Sequence, residues 1–97
     1  MFGNLMDKLQ ATQGDLKQKL DSIIVDGQAE NGLVKVAANA NGEVLQINIE
    51  KSLVDEGDKD ALEELTLVAV NRALQKANEA KEEEMRKIAG DLLGGGF

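Results

Sequence analysis

The sequence contains no cysteine, no histidine, no tryptophan and no tyrosine. Without cysteine there are no disulfides and no thiolate metal ligands, and the redox compartment stays open. Without histidine or cysteine the commonest catalytic bases and nucleophiles are missing. The serines are Ser22 and Ser52, and neither sits in a Gly-x-Ser-x-Gly elbow. The acidic residues read as solvent-facing, so paired carboxylates are a poor basis for catalysis. We therefore expect a protein that is not an enzyme, with no cofactor, no metal and no small-molecule substrate. The only aromatics are Phe2 and Phe97, at the two ends. Stacking platforms for single-stranded nucleic acid are thus absent from the interior of the chain. No apolar run approaches the ~20 residues that span a bilayer. The start, "MFGNLMDKLQ", lacks a basic region followed by an apolar run, so no signal peptide is expected and cytoplasm is the default. A formal net charge of -7 opposes a generally nucleic-acid-seeking surface, so any DNA contact needs a local basic patch.

What is present is an ordinary soluble balance, 42% hydrophobic and 30% charged in 97 residues, which is enough for one domain. A chain this short buries a modest core, so a partner would help. From about residue 4 to residue 24, Leu5, Leu9, Leu16, Leu20 and Ile23 recur at helical spacing, with Thr12 in the row. The arc is narrow and suits one neighbouring helix. Gly14 weakens that helix by roughly 1 kcal/mol relative to Ala.

The periodicity then changes to alternation. "IIVDGQAENG", "LVKVAANANG" and "EVLQINIE" are separated by Asn31-Gly32 and Asn41-Gly42. Asn-Gly between alternating segments signals a hairpin with a type I′ turn. Two such turns predict a three-stranded antiparallel meander over about residues 23–50. Val34, Val36, Ala38 and Ala40 share one face of the middle strand, and Leu45, Ile47 and Ile49 one face of the third. Lys35, Asn39, Gln46, Asn48 and Glu50 take the wet face.

A polar connection follows, where Ser52 with Asp55 reads as the cap of a brief turn. Asp60 and Glu63 read as a capping box. The long helix is expected over about residues 60–93, with a loose tail at 94–97. Its apolar arc is wide over Leu62–Ala77 and exceeds what one small sheet covers. Leu67, Val70 and Leu74 are the candidate dimer contacts. Beyond Ala77 the arc shrinks to Met85, Ile88 and Leu92, a stripe that fits the first helix. The expected fold class is α+β: a helix, a three-stranded meander and a long helix in a single domain over residues 1–97.

Several segments have plain structural readings. The run Asp55 to Asp60 lacks the glycine and glutamate spacing of an EF-hand and reads as a solvated connection. Gly94 to Gly96 is followed by no Lys-Ser or Lys-Thr, so it is not a phosphate loop. "KEEEMRK" reads as a solvated helix face with Glu82–Arg86 and Glu83–Lys87 pairs.

Taken in order, "MFGNLM", "GLVKVAANANGEVLQINIEKSLV", "ALEELTLVAVNRALQKANEAKEEEM" and the Gly-rich end closing in Phe resemble the YbaB/EbfC family of bacterial nucleoid-associated proteins. The resemblance covers essentially the whole chain. It implies an intertwined, tweezer-like homodimer with projecting helical arms. It also implies duplex DNA binding with little sequence preference through those arms, and a place in the nucleoid. Phosphate contact needs Lys or Arg facing the backbone. On the two helices these are Lys8, Lys17, Lys19, Lys81, Arg86 and Lys87, interspersed with Asp7, Asp15, Asp21 and the glutamates. Some relatives carry adjacent basic residues where this chain reads Gln75-Lys76 and Glu82-Glu83-Glu84. The alternative is a protein–protein adaptor of the same fold, with weak or no DNA binding.

Overall fold

The computed structural model describes residues 14–94, with side chains through Asp91. The first helix, α1, occupies 14–22 of the described chain. Strand β1 is Ile24–Ala29, β2 is Val34–Asn39 and β3 is Val44–Ile49. A short helix, α2, spans Lys51–Asp55, and α3 runs without a break from Lys59 to Gly94. The strands form one antiparallel sheet in the order β1-β2-β3. The architecture is the α+β arrangement that the sequence predicts.

Alternation sets the buried face of the sheet. Val34, Val36 and Ala38 on β2, with Ala40 just beyond it, are all essentially inaccessible. Successive strand residues point to opposite faces, and Lys35 accordingly lies in solvent. Helix α3 lies across β1 and β2 and contributes Ala69 and Ala73, both fully buried. The approach is unusually close at Gly27 on β1. A β-carbon there would stand 2.2 Å from the Ala73 amide nitrogen and 2.4 Å from the Ala69 carbonyl oxygen. Backbone therefore rests on backbone. Only glycine on the strand facing alanine on the helix permits it.

Both hairpin connections differ from the type I′ expectation. Ala29 pairs with Val34, so the first connection is Glu30 to Leu33, four residues rather than two. Three successive residues there take left-handed backbone: Glu30 (φ 50), Asn31 (φ 56) and Gly32 (φ 94). The second turn has positive φ at Gly42 (φ 83) but not at Asn41. The Gly42 amide donates to the Asn39 carbonyl (2.9 Å), and the Asn39 amide donates to the Glu43 carbonyl (3.0 Å). This is a three-residue loop ending in a left-handed glycine. A β-bulge follows, setting Val44 opposite Ala38.

Asn39 was expected on the wet face, but it is buried (4% exposed). Its side-chain oxygen accepts from the Asn41 and Glu43 amides, each at 3.1 Å, and organises the turn. The same turn holds α1. The Ala40 amide donates to the carbonyls of Leu20 (3.1 Å) and Ile23 (3.0 Å). The Asn41 side-chain amide donates to the Lys17 carbonyl at 3.1 Å and also reaches the Asp21 carboxylate. Carbonyls that the end of a helix leaves unpaired are thereby satisfied.

The helix start also moves. The Ala61 amide donates to the Asp58 side chain (3.1 Å), so Asp58 caps α3 in place of an Asp60–Glu63 box. No side chain caps α2, so Ser52 does not play that part.

Candidate nucleic-acid interface

At 36 residues, α3 is about 54 Å long at ~1.5 Å per residue. The sheet's six-residue strands cover only about 20 Å at ~3.3 Å per residue. The second half of α3 therefore continues beyond the sheet, and α1 meets it there. An ion-pair cluster joins the two helices there. Lys19 Nζ lies 2.8 Å from Glu84 Oε2, and Lys87 Nζ lies 3.3 Å from Glu84 Oε1. Glu84 is only 7% exposed. The Lys19 hydrogen bond, reinforced by Lys87, holds its carboxyl below the ordinary carboxylate range, against the upward push of burial.

This arrangement corrects the reading of "KEEEMRK" as a uniformly solvated face. Among the described residues the ion pairs in this stretch are those of Glu84, not Glu82–Arg86 or Glu83–Lys87. Glu82 instead accepts from the Asn78 amide at 3.2 Å. The expected Met85 stripe toward α1 is also displaced. Met85 is about half exposed, Ile88 is half-buried, and Glu84 makes the ion pair with α1. Leu92 falls outside the described side chains.

The candidate phosphate contacts separate into groups. Lys8 lies outside the described residues. Lys17, Lys81 and Arg86 are exposed and have no carboxylate within 4.0 Å among the described residues. Lys19 and Lys87 converge on Glu84, one from each helix. Three further cations on α3, Lys59, Arg72 and Lys76, are exposed and are not among the sequence candidates, and Lys59 is paired with Glu63 at 3.0 Å. Arg72 is partly committed, since its guanidinium donates to the Gln28 carbonyl at 2.7 Å. The open face of the sheet offers only a shallow hollow over Ala37, bounded by Asp26, Lys35, Gln46 and Asn48. Its one base, Lys35, is offset by one acid, Asp26, and the other polar groups are neutral amides, which does not favour phosphate. Among the described residues there is no cluster of metal-ligating side chains and no helix long and apolar enough to cross a membrane.

The candidate dimer contacts also separate. Leu67 is 62% exposed, whereas Val70 and Leu74 are half-buried against the chain's own core. The larger open apolar surface lies on β3, where Leu45 and Ile47 are expected on the buried face. Val44, Leu45 and Ile47 are each 41–53% exposed. Helix α3 covers β1 and β2 and scarcely reaches β3. Arg72 marks the flank of α3 above β1. Leu67 and Leu74 lie roughly on the opposite flank, at ~100° of turn per residue, and that flank faces toward β3.

The class this defines is a small α+β chain with one helix-covered sheet and a long cation-bearing helix that continues past it. The chain belongs to the YbaB/EbfC DNA-binding family, whose model matches residues 1–92. It is 40% identical over 85 residues to a nucleoid-associated protein of Anaeromyxobacter dehalogenans, covering 88% of this chain and 82% of that one. It is 38% identical over 92 residues to a nucleoid-associated protein of Caldanaerobacter subterraneus, covering 92% and 83%. The fold is similar to the crystal structure of an uncharacterized protein from Helicobacter pylori, with a TM-score of 0.69 and 27% identity. That match covers 95% of this chain and 92% of the other.

Proposed function

We propose that this protein is a non-enzymatic nucleoid-associated protein of the cytoplasm. It binds duplex DNA with little sequence preference, as a homodimer. The second half of α3 and the adjoining α1 act as arms that touch the phosphate backbone. The observation that carries this reading is the set of exposed cations on those two helices, Lys17, Lys81 and Arg86, in a chain of a DNA-binding family. Amines on phosphates position a protein without reading sequence. Between Phe2 and Phe97 the chain also has no aromatic on which single strands could stack. Dimerisation is supported by the open apolar strip of β3 beside Leu67. Val70 and Leu74 contribute to the rim of that strip while serving the subunit's own core.

Titration of a random-sequence duplex tests the reading by fluorescence anisotropy. Affinity should fall steeply between about 50 and about 200 mM salt. Absence of binding at the lowest salt would leave the adaptor reading. That reading is favoured by the net charge of -7 and by exposed Glu79, Glu82 and Glu83 on α3.

A further inference from the structure

We infer that Glu84 is an internal competitor for phosphate, whose carboxylate occupies Lys19 and Lys87 until DNA displaces it. The inference rests on the DNA-binding reading above. Its basis is the geometry of the three side chains. Lys19 comes from α1 and Lys87 from α3, and both amines contact the two oxygens of one carboxylate, at 2.8 and 3.3 Å. The two lysines remain more than half exposed in their side chains, while that of Glu84 is 9% exposed. The amines thus sit at the rim of the helix pair with the anion beneath them. A phosphate approaching from solvent meets two ammonium groups already engaged by an oxyanion. Their combined charge with Glu84 is one positive, not two. The exposed cations Lys17, Lys81 and Arg86 carry no such partner among the described residues.

The five candidate cations among the described residues are therefore unequal. Those without a carboxylate are available to DNA at once. Lys19 and Lys87 contribute only in so far as they let go of Glu84. The carboxylate keeps the affinity of the helix pair below what its count of basic residues would give.

A purely structural tie between α1 and α3 has a different signature. Breaking it would loosen the helices and leave DNA affinity unchanged or lower. The deciding experiment measures the salt dependence of duplex binding for wild type, Glu84→Gln, Lys17→Gln and Lys19→Gln, and for Lys19→Gln combined with Glu84→Gln. The Glu84→Gln variant should bind about tenfold or more tightly near 0.1 M salt. Its slope of log affinity against log salt should steepen by about 0.9 for each released lysine per subunit. In the wild-type background Lys19→Gln should flatten the slope less than Lys17→Gln. In the Glu84→Gln background Lys19→Gln should flatten it by the full increment of one contact.

Equal or weaker binding by a folded Glu84→Gln variant overturns the inference. So does an equal loss from Lys19→Gln and Lys17→Gln in the wild-type background, a comparison that stands even if Glu84→Gln fails to fold. Where wild type binds DNA and Glu84→Gln gains nothing, only the competitor falls. Where neither binds at the lowest salt, the DNA reading falls with it.

Discussion

Val36 and Ile47 face each other across β2 and β3 on the same side of the sheet, yet Val36 is 1% exposed and Ile47 47%. Directly opposed residues share a face, so the difference comes from what lies above them. Helix α3 ends its cover at β2. The third strand is left with an apolar face and an open edge, a combination that soluble proteins usually blunt or cover.

A second copy is the expected cover. Ile47→Glu combined with Leu67→Glu should leave the chain a monomer, because each places an unpaired charge of the same sign in the proposed interface. Light scattering at micromolar concentration checks this. A dimer mass retained by the double variant would move the interface elsewhere.

Gly27→Ala should destabilise strongly, since the new methyl would enter the backbone of Ala73 and Ala69. Overpacking costs about 1–3 kcal/mol or more. With ~4–8 °C per kcal/mol for a domain of this size, the melting temperature should fall by roughly 10 °C. An unchanged value would mean that α3 does not rest on β1 at this point.

The two longer helices and the strands were legible in the sequence because their apolar periods are clean, whereas α2 falls in a stretch that reads as a polar connection. The buried row from Val34 to Ala40 needed nothing beyond alternation. The turns were not legible in the same way. Asn-Gly marks where the chain reverses, but the loop length depends on the register of the strands. Asn41 is also recruited to hold α1, which the local sequence does not show. The openness of Leu45 and Ile47 was missed because their alternation says which face they take, not how far a helix from elsewhere reaches. Lys19 and Lys87 were readable as cations, but their shared partner was not. Glu84 lies among three glutamates, and only the path of α1 singles it out. The wide apolar arc over Leu62–Ala77 was visible, but the match of Ala69 and Ala73 within it to Gly27 was a tertiary fact.

Asn41→Ala should cost about 1 kcal/mol through loss of its hydrogen bonds to Lys17 and Asp21. Gly42→Ala should cost about 1–2 kcal/mol because alanine resists φ 83. Chemical denaturation of the two variants checks both. A larger loss at Asn41 than at Gly42 would contradict the assigned turn.

Glu84 makes the pairing of α1 with α3 acid-sensitive. Its carboxyl in the folded protein is held below 4.5 by Lys19 and then Lys87. A depressed carboxylate adds stability that is complete above the unfolded value and is lost as pH falls through the folded one. Between pH 7 and about pH 5 its contribution should be flat, and it should fade below 4.5. Melting temperatures across that range should drop more for wild type than for Glu84→Gln. Parallel curves would mean that the pair adds nothing to stability.

The most direct test of DNA contact through the helices compares charge reversals on two surfaces by the salt slope of duplex affinity. Glutamate at Lys17, Lys81 and Arg86 should each flatten the slope by about 1 per subunit and weaken binding alike across sequences. Glutamate at Lys35, on the open face of the sheet, should leave the slope nearly unchanged. A larger loss from Lys35→Glu than from the helix variants would place DNA on the sheet and contradict the account.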